Sequence, residues 1–237
     1  RRLTKLREVV TGVREAGNWP LPEDVDIPFA TTPLTMDGAL DEPAWEDAAT
    51  YTGLYPFNTK THTNAPAMTW KLLWSDEYLY VGFSGADTNL VSERQPRDAA
   101  VYTDDCVEMF LLPEPRFRVY WELVIGLSGS VFDAVHAKKI NQVGSTSDVG
   151  ETMTGLDFGI HLDGTLNRQD DVDTGFTVEV AVPFDQLPGF TRTGPRAGDT
   201  IDFMLVRLDR NGEKQFSAYA CQPLIFWGHN IWNHATG

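Results

Sequence analysis

Carboxylate and aromatic side chains recur on the same side of two neighbouring segments that alternate between apolar and polar residues. In the first segment, Glu108 points to the same side as Phe110. In the second, Glu122 points to the same side as Tyr120. If the two segments pair as a hairpin, all four side chains share one surface. Carboxylates accept hydrogen bonds from sugar hydroxyls, and aromatic rings cover the apolar faces of a pyranose, so the pattern predicts a saccharide-binding surface.

These side chains need a sheet to position them, and most of the chain has the alternation typical of strands. Turn residues separate the strands, as at Ser75–Asp76 and Ser128–Gly129. Only brief helices are predicted, at 42–48 and 184–187. The chain is therefore predicted to be all-β, an antiparallel β-sandwich of the jelly-roll or immunoglobulin-like kind. The predicted strands are 67–74, 78–85, 106–112, 119–126, 131–136, 156–162, 176–183, 201–209 and 216–222.

The first residues differ from the rest of the chain. Apolar residues at helical spacing between Leu3 and Val13 predict a short amphipathic helix that ends before Gly17. We therefore expect a helical extension over 1–24 and one sandwich domain over 25–237. Short edge strands are expected at 25–30 and 34–36, and a long polar loop at 138–154.

Charge and composition exclude several classes of function. The chain has 237 residues with 19 basic and 34 acidic side chains, a formal charge of −15. Such a surface repels phosphate backbones and anionic membranes, so neither nucleic-acid binding nor membrane insertion is expected. No apolar run approaches the roughly 18–20 residues that span a bilayer. The two cysteines, Cys106 and Cys221, are expected to be buried thiols rather than a disulfide.

Five segments together resemble family 9 carbohydrate-binding modules, and they occur in that family's order. Each segment alone is weak evidence for the family, but the combination is specific. The resemblance extends from about residue 34 to the end of the chain. The segments are 36–45 (MDGALDEPAW), 71–83 (KLLWSDEYLYVGF), 102–110 (YTDDCVEMF), 175–184 (GFTVEVAVPF) and 198–209 (GDTIDFMLVRLD).

The resemblance implies a non-catalytic module that grips a terminal mono- or disaccharide in an aromatic slot. Tyr102 stands where the family has one wall of the slot, and Glu108 stands at its sugar-binding Glu. Glu122 occupies the place of a binding Arg, which exchanges hydrogen-bond donors for acceptors. The second wall is expected from Trp232 or Trp227.

The resemblance also implies structural calcium, an attached or neighbouring glycoside hydrolase, and an extracellular or periplasmic location. Carboxylates are suitable oxygen ligands for calcium, and Asp98 and Asp104 are the candidate ligands.

Three other interpretations remain at this point. Glu108 with Glu122 or Glu179 would form a glycosidase pair only if the acids flanked the scissile bond. A haem-binding electron-transfer sandwich would use Met68, Met109, Met153 or His136 as ligands. A structural module of a larger exported assembly would dock through the N-terminal helix.

Overall fold

The protein folds as two antiparallel β-sheets packed face to face. A computed structural model describes residues 24–57, 65–113, 119–137, 146–191, 193–210 and 217–222. Every pairing between the described strands is antiparallel. The described strands are β1 (Ala49–Thr52), β2 (Tyr55–Pro56), β3 (Met68–Trp74), β4 (Tyr78–Ala86), β5 (Cys106–Leu112), β6 (Val119–Gly126), β7 (Val131–Ala137), β8 (Thr146–Asp148), β9 (Asp157–Asp163), β10 (Gly175–Pro183), β11 (Asp202–Asp209) and β12 (Ser217–Ala220).

The smaller sheet has the strand order β1-β3-β4-β10-β9, and the larger has the order β2-β12-β11-β5-β6-β7-β8. The main core lies between them, because alternate residues of each central strand point inward. From the smaller sheet come residues such as Trp70, Phe83 and Val180, and from the larger come Met109 and Leu123. The predicted β-sandwich is thus confirmed.

The larger sheet is buried on both faces at its centre, where every residue of β5 is buried. The residues that point away from the main core form a second apolar cluster on what we call the outer face. It includes Phe110, Tyr120, Val124 and Phe132. Glu108 and Glu122 lie on this outer face.

A buried carboxylate fixes the opening motif against the smaller sheet. Glu179, which is 0% exposed on β10, accepts hydrogen bonds from the backbone N–H groups of Asp37 (3.1 Å), Gly38 (2.7 Å) and Leu40 (3.2 Å). The indole Nε1 of Trp45 donates a fourth bond at 2.7 Å. Two segments that carry the family resemblance are therefore joined through a single side chain.

Two glycines permit this close approach. Gly38 has a φ of +92°, a conformation that residues with a Cβ rarely adopt. Opposite it, a Cβ on Gly159 would stand 2.4 Å from the backbone nitrogen of Gly38. Any larger side chain would push the motif off the sheet.

The structure also corrects several predicted elements. The predicted strands at 25–30 and 34–36 are wrong, because only Phe29 makes an isolated bridge, to Trp74. The predicted helices are short 3₁₀ turns, Pro43–Glu46 and Phe184–Gln186. Strand β8 lies inside the predicted loop 138–154. The predicted N-terminal helix falls outside the described residues.

Cys106 and Cys221 are free thiols, as predicted, but only Cys106 is buried and Cys221 is partly exposed. Within the described ranges, we find no helix with the length and apolar character needed to cross a membrane.

Candidate functional site

Glu108 and Glu122 meet on the outer face, as the alternation predicts. In the β5–β6 register Glu108 lies opposite Val124, and Glu122 lies opposite Phe110. The two acids are therefore diagonal neighbours, and their carboxyl groups are hydrogen-bonded to each other. Each residue is only 6% exposed, so the pair is set deeply into the face.

Burial and the charge of Glu122 both raise the pKa of Glu108 well above its usual range. Two adjacent buried carboxylates repel each other, and sharing a proton removes that repulsion. A protonated Glu108 both donates and accepts hydrogen bonds, whereas a carboxylate only accepts. The proton lies in the hydrogen bond between the two carboxyl groups, so the pair presents acceptor oxygens to a ligand.

His136 extends this acid pair, and its role was not predicted from the sequence. Its Nε2 lies 2.6 Å from Glu122 Oε2, and its Nδ1 lies 2.8 Å from Ser147 Oγ. The imidazole also stacks on Tyr120, with ring centroids 4.9 Å apart. The sequence could have indicated this contact, because the register of the tight β6–β7 hairpin places His136 opposite Tyr120 and diagonal to Glu122.

Tyr102 stands at the side of this face as an exposed ring. It lies in the 3₁₀ turn Val101–Thr103 just before β5, and 40% of its surface is exposed. Its ring meets Phe132 edge-on, with centroids 5.4 Å apart. Phe132, Val124 and Glu108 lie opposite one another on three adjacent strands, so Phe132 and Glu108 are roughly 10 Å apart. Trp227 and Trp232, the predicted second wall, fall outside the described residues.

The two predicted calcium ligands, Asp98 and Asp104, differ in their surroundings. Asp98 is exposed, with a φ of 61°. Asp104 is buried, and its Oδ2 accepts the backbone N–H groups of Glu93 (2.6 Å) and Arg94 (2.7 Å). Its Oδ1 accepts Arg210 Nη1 at 3.0 Å. These donors engage both oxygens of Asp104, and its role as a calcium ligand stays a prediction.

Another group of carboxylates does come together among the described residues. Oxygens of Asp87, Asp105 and Asp209 lie within 4.8 Å of one another. Arg207 lies among them, with Nη2 at 2.7 Å from Asp87 Oδ2 and 3.7 Å from Asp209 Oδ2. Burial, together with the charges of Asp87 and Asp209, raises the pKa of Asp105 to about 8. The buried guanidinium supplies positive charge here, and structural calcium stays a prediction.

The other chemical interpretations do not match the geometry. Glu179 lies on the smaller sheet with its carboxylate bound to the opening motif, so it does not pair with Glu108. Met68, Met109 and Met153 are all buried in the main core. His136 is hydrogen-bonded to Glu122. The haem alternative is therefore not supported.

Comparison with solved structures finds the same two-sheet fold. A crystal structure of a proposed carbohydrate-binding protein from Bacteroides uniformis ATCC 8492 is 11% identical, covering 84% of this chain and 89% of that chain with a TM-score of 0.64. A family 9 carbohydrate-binding module from Caldicellulosiruptor kristjanssonii in complex with cellotriose is 17% identical, covering 82% and 83% with a TM-score of 0.54. The same organism's module in complex with glucose is 18% identical, covering 81% and 84% with a TM-score of 0.52.

Fold and site together define a β-sandwich domain with a carboxyl cluster and an exposed ring on one outer face. The model of the family "Carbohydrate family 9 binding domain-like" matches residues 36–221. The chain belongs to this family, which confirms the resemblance seen in the sequence. No curated protein matches the chain.

Proposed function

We propose that this domain binds saccharides without catalysing their conversion, and that the outer face of the larger sheet is its binding site. The observation that carries the proposal is the hydrogen-bonded carboxyl pair on an outer face whose Phe132 contacts the exposed ring of Tyr102, on a sandwich of a carbohydrate-binding family. The ligand is a terminal mono- or disaccharide unit of a polysaccharide.

Each part of the site has a separate task. Tyr102 offers an exposed ring for the apolar face of a pyranose, and Phe132 contacts that ring edge-on. Glu108 and Glu122 offer acceptor oxygens to the sugar hydroxyls, and His136 fixes Glu122. Trp232 or Trp227 supplies the second wall of the slot.

The spacing of the acids supports binding rather than hydrolysis. A glycosidase needs its two carboxyl groups about 5–10 Å apart, on opposite sides of the scissile bond. Glu108 and Glu122 instead hydrogen-bond each other directly, which leaves no room for a glycosidic bond between them.

The biological setting follows from the same proposal. The domain acts outside the cytoplasm, in the extracellular space or the periplasm, and keeps an attached or neighbouring glycoside hydrolase near its polysaccharide. Complexes of family members with cellotriose and glucose support glucose-based chains as the first ligands to test.

Titration calorimetry of the intact chain against a small sugar panel tests the proposal. The panel contains glucose, xylose, cellobiose, cellotriose, glucuronic acid and methyl glucoside, which has a blocked reducing end. We expect dissociation constants between about 1 μM and 1 mM for at least one sugar. A large loss on going from glucose to methyl glucoside would identify recognition of the chain's reducing end. Absence of heat across the panel, and of retention on insoluble cellulose and xylan, would refute the proposal.

A further inference from the structure

A second concavity lies away from the carboxyl pair, at one end of the sandwich. It is a cleft of about 640 Å³ between the segment 24–27, the loop 195–203 and the ends of both sheets. This volume falls in the range of small-molecule sites, roughly 300–1,000 Å³. Nothing in the proposed saccharide site uses it.

The polar groups that line the cleft are mostly acidic. Asp24, Asp26, Asp199 and Asp202 contribute carboxylates, and Arg196 is the one basic side chain among the described lining residues. Asp199 is committed to its own loop, because its Oδ2 accepts the backbone N–H of Arg196 at 2.8 Å. The other three carboxylates make no hydrogen bond or ion pair within the described part of the chain.

Two of these carboxylates interact unfavourably without a ligand. Asp202 is half-buried where β11 begins, and burial together with the charge of Asp24 raises its pKa. A positive charge placed between Asp24 and Asp202 would relieve this repulsion.

The wall of the cleft adds aromatic rings. Trp74, Phe184 and Phe203 line it, and aromatic faces attract cations. A ligand with an ammonium group could therefore also gain from the rings.

We propose that this cleft is a second ligand site, which binds a protonated primary amine carried on a compact body such as an amino sugar. The ammonium group donates to Asp202 and Asp24, and the body of the ligand packs on the rings. A neutral sugar is the weaker match: its hydroxyls can donate to these carboxylates, but it carries no positive charge to offset the repulsion between Asp24 and Asp202. The site is independent of the saccharide site and does not rest on it.

Glucosamine and N-acetylglucosamine provide the test, since they share a ring and differ in the charge of the amine. Binding is followed by NMR, from the indole N–H signal of Trp74 at constant ionic strength. We expect saturable shifts with glucosamine and at least about fivefold weaker binding of N-acetylglucosamine, the change for loss of one partly exposed ion pair. Higher salt should weaken glucosamine binding.

Four variants make the assignment specific. Asp202→Asn and Asp24→Asn should each weaken glucosamine binding about fivefold, whereas Asp41→Asn removes an exposed charge outside the cleft and should leave it unchanged. Tyr102→Ala should also leave it unchanged. Equal binding of the two sugars, no saturable shift at Trp74, or loss of the shift in Tyr102→Ala would overturn the proposal. Since Asp24 is exposed, its variant tests the site even if Asp202→Asn fails to fold.

Discussion

Removing the Glu179 carboxylate should strongly destabilise the domain, although Glu179 lies far from any proposed ligand. Glu179→Ala leaves four donors without their acceptor. Two of them, Gly38 N–H and Trp45 Nε1, are in buried hydrogen bonds. The other two, from Asp37 and Leu40, are only partly buried, so water can replace the carboxylate there.

The magnitude follows from the two buried donors. Leaving a buried donor unpaired costs about 1–3 kcal/mol, and more when the lost partner was charged. We therefore expect Glu179→Ala to lower the free energy of unfolding by about 3–5 kcal/mol, a large part of the 5–15 kcal/mol typical of a domain. At about 2–4 °C per kcal/mol, the melting temperature should fall by roughly 10 °C.

Glu179→Gln gives an intermediate case that the geometry specifies. Gly38 N–H binds Oε2 and Trp45 Nε1 binds Oε1, each at 2.7 Å. A glutamine retains only one oxygen, so it can serve only one of these two donors. We expect a loss of about 2 kcal/mol, roughly half that of the alanine variant.

Urea unfolding and hydrogen exchange measure these changes. Glu77→Ala removes an exposed carboxylate from the β3–β4 turn and serves as the control, with little change in stability expected. The Gly38 and Leu40 amides should lose protection in Glu179→Ala before the amides of β5 do. Stability of Glu179→Ala within about 1 kcal/mol of the wild type would refute the anchoring role.

Three further predictions concern the outer face and the buried charges. Tyr102→Ala should weaken saccharide binding about 30-fold in calorimetry, since covering the 40% exposed ring buries about 80 Å², worth about 2 kcal/mol. Phe29→Ala removes another exposed ring, at 45% exposure, and should leave the affinity unchanged. An equal loss of affinity in Tyr102→Ala and Phe29→Ala would count against the aromatic slot. His136→Ala should weaken saccharide binding about tenfold by removing the imidazole that positions the neighbouring carboxyl group, whereas His161→Ala should have no effect. The folded state holds the Asp105 proton more tightly than the unfolded chain does, because the pKa is about 8 in the fold. That stabilisation is full below about pH 4 and is lost as the pH rises to about 8, so the urea midpoint should fall over this range in the wild type and fall less in Asp105→Asn. Parallel pH profiles would contradict this reasoning.

The central strands could be predicted from the sequence because alternation and turn chemistry agree there. The predicted bounds 106–112 and 119–126 coincide with β5 and β6. The prediction failed at 25–30, where apolar residues suggested a strand but Pro28 has no N–H to donate to a ladder. Local pattern identifies a strand only where the backbone can also hydrogen-bond.

The shared face of Glu108 and Glu122 could also be predicted, but their surroundings could not. Alternation gives the direction of a side chain and not its depth, so the 6% exposure of each acid is a property of the assembled fold. Predicting the contact of His136 with Glu122 required the register of the next hairpin as well as the alternation of its own strand. Glu179 looked like a candidate acid in the sequence, and only the packed opening motif reveals it as a structural acceptor.

The segments that carry the family resemblance determine the fold more than they determine which ligand is bound. The opening motif and the β10 segment meet at Glu179, and the glycines at their contact exclude larger side chains. These constraints hold for any ligand, so they specify the fold. At the outer face the resemblance implies an Arg where this chain has Glu122, and a guanidinium there would pair with Glu108 as a salt bridge. Here burial and the charge of Glu122 raise the pKa of Glu108, the two carboxyl groups are hydrogen-bonded, and an imidazole closes the cluster. Acceptors replace the guanidinium donors at this position, so the balance of donors and acceptors offered to a sugar differs from the one that the resemblance implies, and the order of affinities within the sugar panel depends on this cluster.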